Sequence, residues 1–383
     1  MAKLLEATDM SKWVNVLVNC LLPIVSLAFI LFAGEAALRL YHWIWLGIPP
    51  IASQATTTSL TFDGSLGWRA TENFQRVTIE KTAQGTDYLI SYSSNELGFR
   101  MFGDRNSGKP RVLVIGDSMT QAIHVSDDKT YYSVLKEYFD IEVFAYGAGA
   151  YGTLQEYMIL DRYFDLINPD VVLWQFCLND IADNSPDLEK ARVVHNPGER
   201  RPYWVEGKVV YIAARDTMVI IREWAVTHSR FLSAMIHRLD KLQASRANKS
   251  VEDEIQQIQR FEYPLFLMAV QTTDELIDQV KKRVGRVPIV GFVCRGDSPL
   301  YLDALKEISL RHGFIFADDV AEFIEAAVER GEDVLHADAM HWNEAGHRLA
   351  AGAIANRIQK MPALMRVLLP PGEKVVDKAN LDR

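Results

Sequence analysis

Five short, mainly apolar runs recur along the chain: Val112 to Ile115, Glu142 to Tyr146, Val171 to Phe176, Pro288 to Cys294 and Phe314 to Ala317. Between them, Tyr131 to Tyr138, Leu154 to Phe164 and Leu302 to His312 repeat apolar positions at helical spacing. Runs without polar alternation suit strands covered on both faces, and strands alternating with helices build a parallel sheet. The pattern therefore predicts a three-layer α/β/α sandwich around a mainly parallel five-stranded sheet. A different pattern opens the chain. Trp13 to Ala33 is apolar apart from Asn15, Asn19, Pro23 and Ser26, and its length, about 21 residues, suits a transmembrane helix.

These patterns divide the chain into an N-terminal tail (1–12), a transmembrane anchor (13–33), a juxtamembrane segment and linker (34–61), a folded α/β domain (62–369) and a polar tail (370–383) expected to be disordered. Tyr41, His42, Trp43 and Trp45 follow the anchor as an interfacial belt. A cleaved signal ending near Gly34-Glu35-Ala36 is the competing reading. Lys3 and Lys12 before the span place the N-terminus inside, so the domain faces the periplasm or exterior. Within the domain, 62–110 reads as a β-hairpin prelude through Val77-Thr78-Ile79 and Tyr88 to Tyr92, expected to edge the sheet. An insertion over 185–286 holds a second hairpin, turning at Glu206-Gly207-Lys208, and a long amphipathic helix. The helix's stripe, Met218, Ile221, Ala225, Leu232, Met235, Leu239 and Leu242, is expected to pack on its own domain; a lid or membrane-surface element is the alternative.

Composition narrows the function. The net charge of −9 at pH 7 sets the average surface against phosphate backbones, so no nucleic-acid partner is expected. Of three cysteines, Cys20 lies in the span, and Cys177 and Cys294 end neighbouring strands as expected buried thiols. No paired Cys-x-x-Cys or phosphate-binding loop occurs, and the spacing of His336, Asp338, His341 and His347 fits no familiar ligand set, so neither a metal nor a cofactor is expected.

The chemistry begins at Gly116-Asp117-Ser118, directly after the first buried run. Carboxyl ends of parallel strands are where such sheets place reactive groups, and a hydroxyl there is a candidate nucleophile. Asp338 stands three residues before His341, a spacing that lets the carboxylate hold one ring nitrogen and leaves the other to take a proton. Asp333 with His336 and Glu344 with His347 share this spacing, but Asn343 after His341 is placed to cap a helix reaching Ile358, which mounts His341 on a loop and buries His347 in a helix. Asn179, closing the third run, offers an amide to a developing oxyanion or, more plainly, a strand-ending turn.

Taken in order, Gly116-Asp117-Ser118, the stretch Gly147 to Thr153, Asn179-Asp180 and Asp338-x-x-His341 resemble the four motifs of the SGNH or GDSL-type esterases, in particular bacterial membrane-anchored members. The resemblance covers about 111–184 and 288–358. It implies a flavodoxin-like hydrolase fold, a nucleophile Ser118, a base His341 held by Asp338, and an oxyanion hole made by the amides of Ser118 and Ala150 with the Asn179 side chain. Asp117, Gly116, Gly147 and Asp180 would support these loops. Two departures stand out: Ala150 replaces the second motif's glycine and Ala145 the asparagine that often opens it. Alanine keeps the amide donor provided φ is negative there, with less local freedom than glycine. The resemblance implies a membrane-anchored ester hydrolase acting on an acyl or acetyl ester of a carbohydrate or envelope component. O-acyl transfer and a non-catalytic envelope binding protein are the alternatives.

Overall fold

Alternate residues of the strand Arg111–Gly116 enter opposite cores, and this divides the molecule into layers. In the computed structural model, which describes residues 2–46, 50, 58–191, 200–213, 224–225, 228–247, 263–296 and 298–368, Val112 and Val114 pack with Tyr131, Val320, Ile324, Ala350 and Ile354. Leu113 and Ile115 pack on the other side with Ile159, Leu160, Ile277, Leu305 and Ile308. Helices therefore cover both faces, as predicted.

The strands in chain order are β1 (Leu60–Asp63), β2 (Gly67–Ala70), β3 (Gln75–Lys81), β4 (Asp87–Ser93), β5 (Met101–Phe102), β6 (Arg111–Gly116), β7 (Glu142–Gly147), β8 (Val171–Phe176), β9 (Arg200–Val205), β10 (Lys208–Ala213), β11 (Ile289–Val293) and β12 (Ile315–Phe316). The main sheet runs β12-β11-β8-β6-β7-β5. Five strands are parallel, and β5 adds a sixth, antiparallel to β7, through Met101↔Ala145. The chain moves from β6 to β7 on one side, then returns to β8 on the other. That reversal opens the crevice at the strands' carboxyl ends where α/β sheets bind ligands.

Three expectations change. The β3–β4 hairpin forms with Thr78 opposite Ile90 as a separate two-stranded sheet, so the prelude edges the main sheet through β5 and not through its hairpin. The hairpin's end instead pairs with the distal loop: Ala337 N donates to the Lys81 carbonyl and Ala83 N to that of Leu335, both at 2.9 Å. The insertion is also shorter than 185–286. Parallel neighbours β8 and β11 need a crossover helix, and Tyr263–Val284 supplies it, burying Leu276, Ile277, Val280 and Val284 under the sheet. The hairpin β9–β10 turns at Glu206 and Gly207 as predicted. In the third change, the helix that follows, Arg230–Ala247, leaves Met235, Leu239 and Leu242 of the apolar stripe exposed instead of packed. Met218 and Ile221 lie outside the described residues, as do 51–57 of the linker and the tail from 370.

The N-terminal helix runs from Ala2 to Leu46 without a break at residue 33. At 1.5 Å per residue it is about 68 Å long, more than twice the hydrocarbon thickness of a bilayer. Its apolar window among the described residues is Leu21–Trp45, with mean hydropathy 2.1 and none of it buried. Glu35, within this window, accepts hydrogen bonds from Ser229 Oγ and from the backbone N–H groups of Arg230 and Phe231 at 2.8–3.2 Å. It thus caps the helix Arg230–Ala247.

Candidate active site

The turn after β6 is built for close approach. A Cβ on Gly147, the last residue of β7, would lie 2.3 Å from Gln121 N and 2.6 Å from the Asp117 carbonyl. Only glycine lets β7 pass so near the turn. On Gly116 a Cβ would lie 2.4 Å from both Gln175 Oε1 and Thr120 Oγ1. Asp117 is buried and caps the short helix Ser118–Gln121 by accepting from Met119 N at 3.1 Å. Burial pushes its carboxyl pKa up, against the hydrogen bonds it accepts. The turn fixes Ser118 at the sheet's carboxyl end.

His341 reaches Ser118 from the far side of the crevice. Its Nε2 lies 2.9 Å from Ser118 Oγ, and its Nδ1 lies 2.6 Å from Asp338 Oδ2. The other oxygen, Asp338 Oδ1, accepts the backbone N–H groups of Met340 and His341 at 2.9 and 3.0 Å. Burial works to raise the Asp338 pKa, but these bonds and the imidazole charge hold it well below the ordinary carboxylate range. For His341, burial works to lower the pKa, and the Asp338 hydrogen bond and charge reverse it to a net rise. An aspartate held ionised beside a histidine of raised basicity is the arrangement of a general base.

Neither competing pair forms. Asp333 accepts from Thr82 Oγ1 at 2.6 Å instead of from His336. His347 is buried, stacks on Tyr131 and accepts Tyr131 N–H at Nδ1, 3.2 Å away. Burial and nearby positive charge lower its pKa to about 3, so it stays neutral. Asn343 caps the helix Glu344–Gln359, its Oδ1 accepting from Ala345 N and Gly346 N.

Ser118, Ala150 and Asn179 follow the neighbouring strands β6, β7 and β8. Among the described residues, the amides of Ser118 and Ala150 make no hydrogen bond. Ala150 has φ +59°, in the left-handed region and not at the negative value expected for alanine. Such a conformation costs an L-residue about 1–2 kcal/mol, so the surroundings must hold it. Asn179 Nδ2 donates to Asp183 Oδ2 at 2.6 Å, leaving one amide hydrogen available. Asp180 Oδ2 accepts from Cys177 N at 3.1 Å, and burial pushes its pKa well up. Cys177 and Cys294 are both free and buried, as expected, with their sulfurs 2.8 Å apart.

Sequence reasoning misses a second cluster, directly behind the triad geometry. Glu80 Oε2 takes His124 Nδ1 at 2.7 Å and His336 Nε2 at 2.9 Å. His336 Nδ1 in turn accepts Asp338 N–H at 3.3 Å. Glu80, His124 and His336, or His124, Asp338 and His341, are close enough to hold a metal ion. The rings of His124 and His336, however, stack 3.9 Å apart at 22°. His124 Nδ1 and His336 Nε2 both point at Glu80 Oε2, so hydrogen bonding to that carboxylate accounts for the first of these groupings.

No protein-family model matches the chain, and no curated protein matches it. Solved structures do. A lipase/acylhydrolase from Enterococcus faecalis shares 15% identity over 65% of this chain and 95% of that one, with a TM-score of 0.36. A family 3 carbohydrate esterase from Clostridium thermocellum shares 12% over 68% and 100%, with a TM-score of 0.38. A psychrotrophic esterase from Pseudoalteromonas sp. shares 11% over 66% and 98%, with a TM-score of 0.37. At such identities and TM-scores the likeness bears no weight on function, which the geometry has to carry.

Proposed function

We propose that the chain is a membrane-anchored serine hydrolase that cleaves a carboxylic ester, with Ser118, His341 and Asp338 as its catalytic residues. The observation that carries this reading is the continuous path from Ser118 Oγ through His341 to Asp338, with steps of 2.9 and 2.6 Å. Ser118 Oγ attacks the ester carbonyl carbon while its proton passes to His341 Nε2. The carbonyl oxygen becomes an oxyanion, held by the amides of Ser118 and Ala150 and by Asn179 Nδ2. Collapse breaks the bond to the alcohol oxygen, which takes the proton from His341, and leaves an acyl-Ser118. Water, deprotonated by His341, attacks this ester; Ser118 regains its proton and the acid departs. Asp338 stays ionised and steadies the imidazolium each time it forms.

The helix 2–46 supports an anchor, and the lysine count supports an extracytoplasmic domain. A site tethered there suits an acyl or acetyl ester on a glycan or envelope component. A fluorophosphonate probe tests the core of the reading: wild-type protein is labelled at Ser118, and Ser118→Ala and His341→Ala lose both labelling and ester turnover. Undiminished turnover in either variant sinks the mechanism. Absence of labelling in folded wild-type protein would leave a binding scaffold.

A further inference from the structure

The left-handed Ala150 is held from both sides by residues outside the motif stretches. Its preceding peptide carries the Gly149 carbonyl and the Ala150 N–H on opposite edges. Trp68 Nε1, from β2, donates to that carbonyl at 2.8 Å, which turns the N–H the other way. The following peptide carries the Ala150 carbonyl, and Arg201 Nη2, from β9, donates to it at 2.9 Å. Gln121 Oε1 accepts Gly149 N–H at 2.9 Å, and the Ala148 carbonyl accepts Tyr151 N–H at 3.2 Å. Between Gly149 N and Tyr151 N, the one polar group without a partner among the described residues is the Ala150 amide.

Arg201 also reaches the other side of the oxyanion hole. Its side chain is fully buried, its guanidinium lies 5.1 Å from the Trp68 ring centre, and Nη1 faces Glu189 at 3.3 Å and Asp183 at 3.7 Å. Asp183 is the carboxylate that holds Asn179 Nδ2. Arg201 Nη2 further donates to Gln155 Oε1 at 2.6 Å, the oxygen that accepts Gly152 N–H at the start of the next helix. One planar fork thus fixes the Ala150 backbone directly and Asn179 through one carboxylate.

We propose that Arg201, together with Trp68, is a positioning residue that preforms the oxyanion hole by keeping Ala150 left-handed. The inference rests on the ester-hydrolase reading. On it, the insertion hairpin and the prelude supply the rigidity that the change from glycine to alanine would otherwise demand of the loop itself.

The test uses full-length protein in detergent, a p-nitrophenyl acetate assay and serine titration with a fluorophosphonate. Arg201→Lys keeps the buried charge beside Glu189 and Asp183 but lacks the planar fork that reaches Ala150 and Gln155 together. It should lower kcat per titrated serine about 100-fold, with KM within about threefold and the pH midpoint unmoved, as expected when oxyanion donors alone are disturbed. Trp68→Phe leaves a smaller aromatic ring without the indole N–H and should cost about 10-fold by the same rule. Adding Ala150→Gly should restore roughly 10-fold to Arg201→Lys, since glycine holds φ +59° unaided. A lowered melting temperature with unchanged kcat per titrated serine, or a purely KM effect, overturns the proposal and leaves the hydrolase reading standing. Wild-type protein that takes up no probe sinks that reading and the proposal with it.

Discussion

Replacing Asp338 by asparagine isolates the electrostatic half of the site, because the two oxygens of this carboxylate do different work. Oδ1 accepts two backbone N–H groups, from Met340 and His341, and an asparagine oxygen can keep both. The amide then falls where Oδ2 stood, 2.6 Å from His341 Nδ1, and offers N–H in place of a lone pair. His341 responds by moving its proton to Nε2, where it can no longer accept from Ser118. Wrong-tautomer variants of this kind lose about 10⁴-fold in kcat, about 5.4 kcal/mol at 1.36 kcal/mol per decade. The pH dependence adds a sign. His341 must be neutral to act as base, and its pKa is raised by Asp338, so wild-type kcat/KM falls as pH drops through that raised value. Removing the charge lowers the His341 pKa and moves the acid limb to lower pH. The assay is kcat/KM for p-nitrophenyl acetate from pH 5 to 9, with active sites counted by phosphonate titration. Retention of more than a tenth of wild-type kcat, or an acid limb that stays in place, would refute the assignment of Asp338.

Two further substitutions separate fold from chemistry. His347→Phe keeps the ring stacked on Tyr131 but strands the Tyr131 N–H, so unfolding by urea should show a loss of about 1–3 kcal/mol while kcat per titrated serine and the pH profile stay unchanged. Gly147→Ala drives a Cβ into backbone at 2.3 Å, so stability should fall by about 1–3 kcal/mol or more, with slowed phosphonylation of Ser118 as the nucleophile turn shifts.

The residues of the proposed site are legible because each lies in a short local pattern. Ser118 and Asn179 close apolar runs, and Asp338 and His341 form a pair whose helix cap, Asn343, marks the loop. The rest needs contacts that no local pattern encodes. Arg201 bonds a carbonyl 51 residues away, Trp68 one 81 residues away, and Thr82 a carboxylate 251 residues away. The sign of φ at Ala150 is hidden for the same reason: alanine alone prefers a negative value, and a tertiary clamp overrides that preference. The crossover helix Tyr263–Val284 reads as insertion because polar residues such as Gln271, Thr272 and Asp274 interrupt its apolar positions and weaken the signal. Glu80 gives no hint, since a glutamate in an otherwise exposed hairpin reads as solvent-facing.

Ser118 and His341 are separated by 223 positions, and the loop that carries His341 is stapled to a hairpin that precedes Ser118. On the proposed mechanism, a chain ending anywhere before residue 341 therefore carries an ordinary serine. On that reading, reactivity requires the last third of the polypeptide to be made and docked, so completing the fold would itself guard against premature hydrolysis.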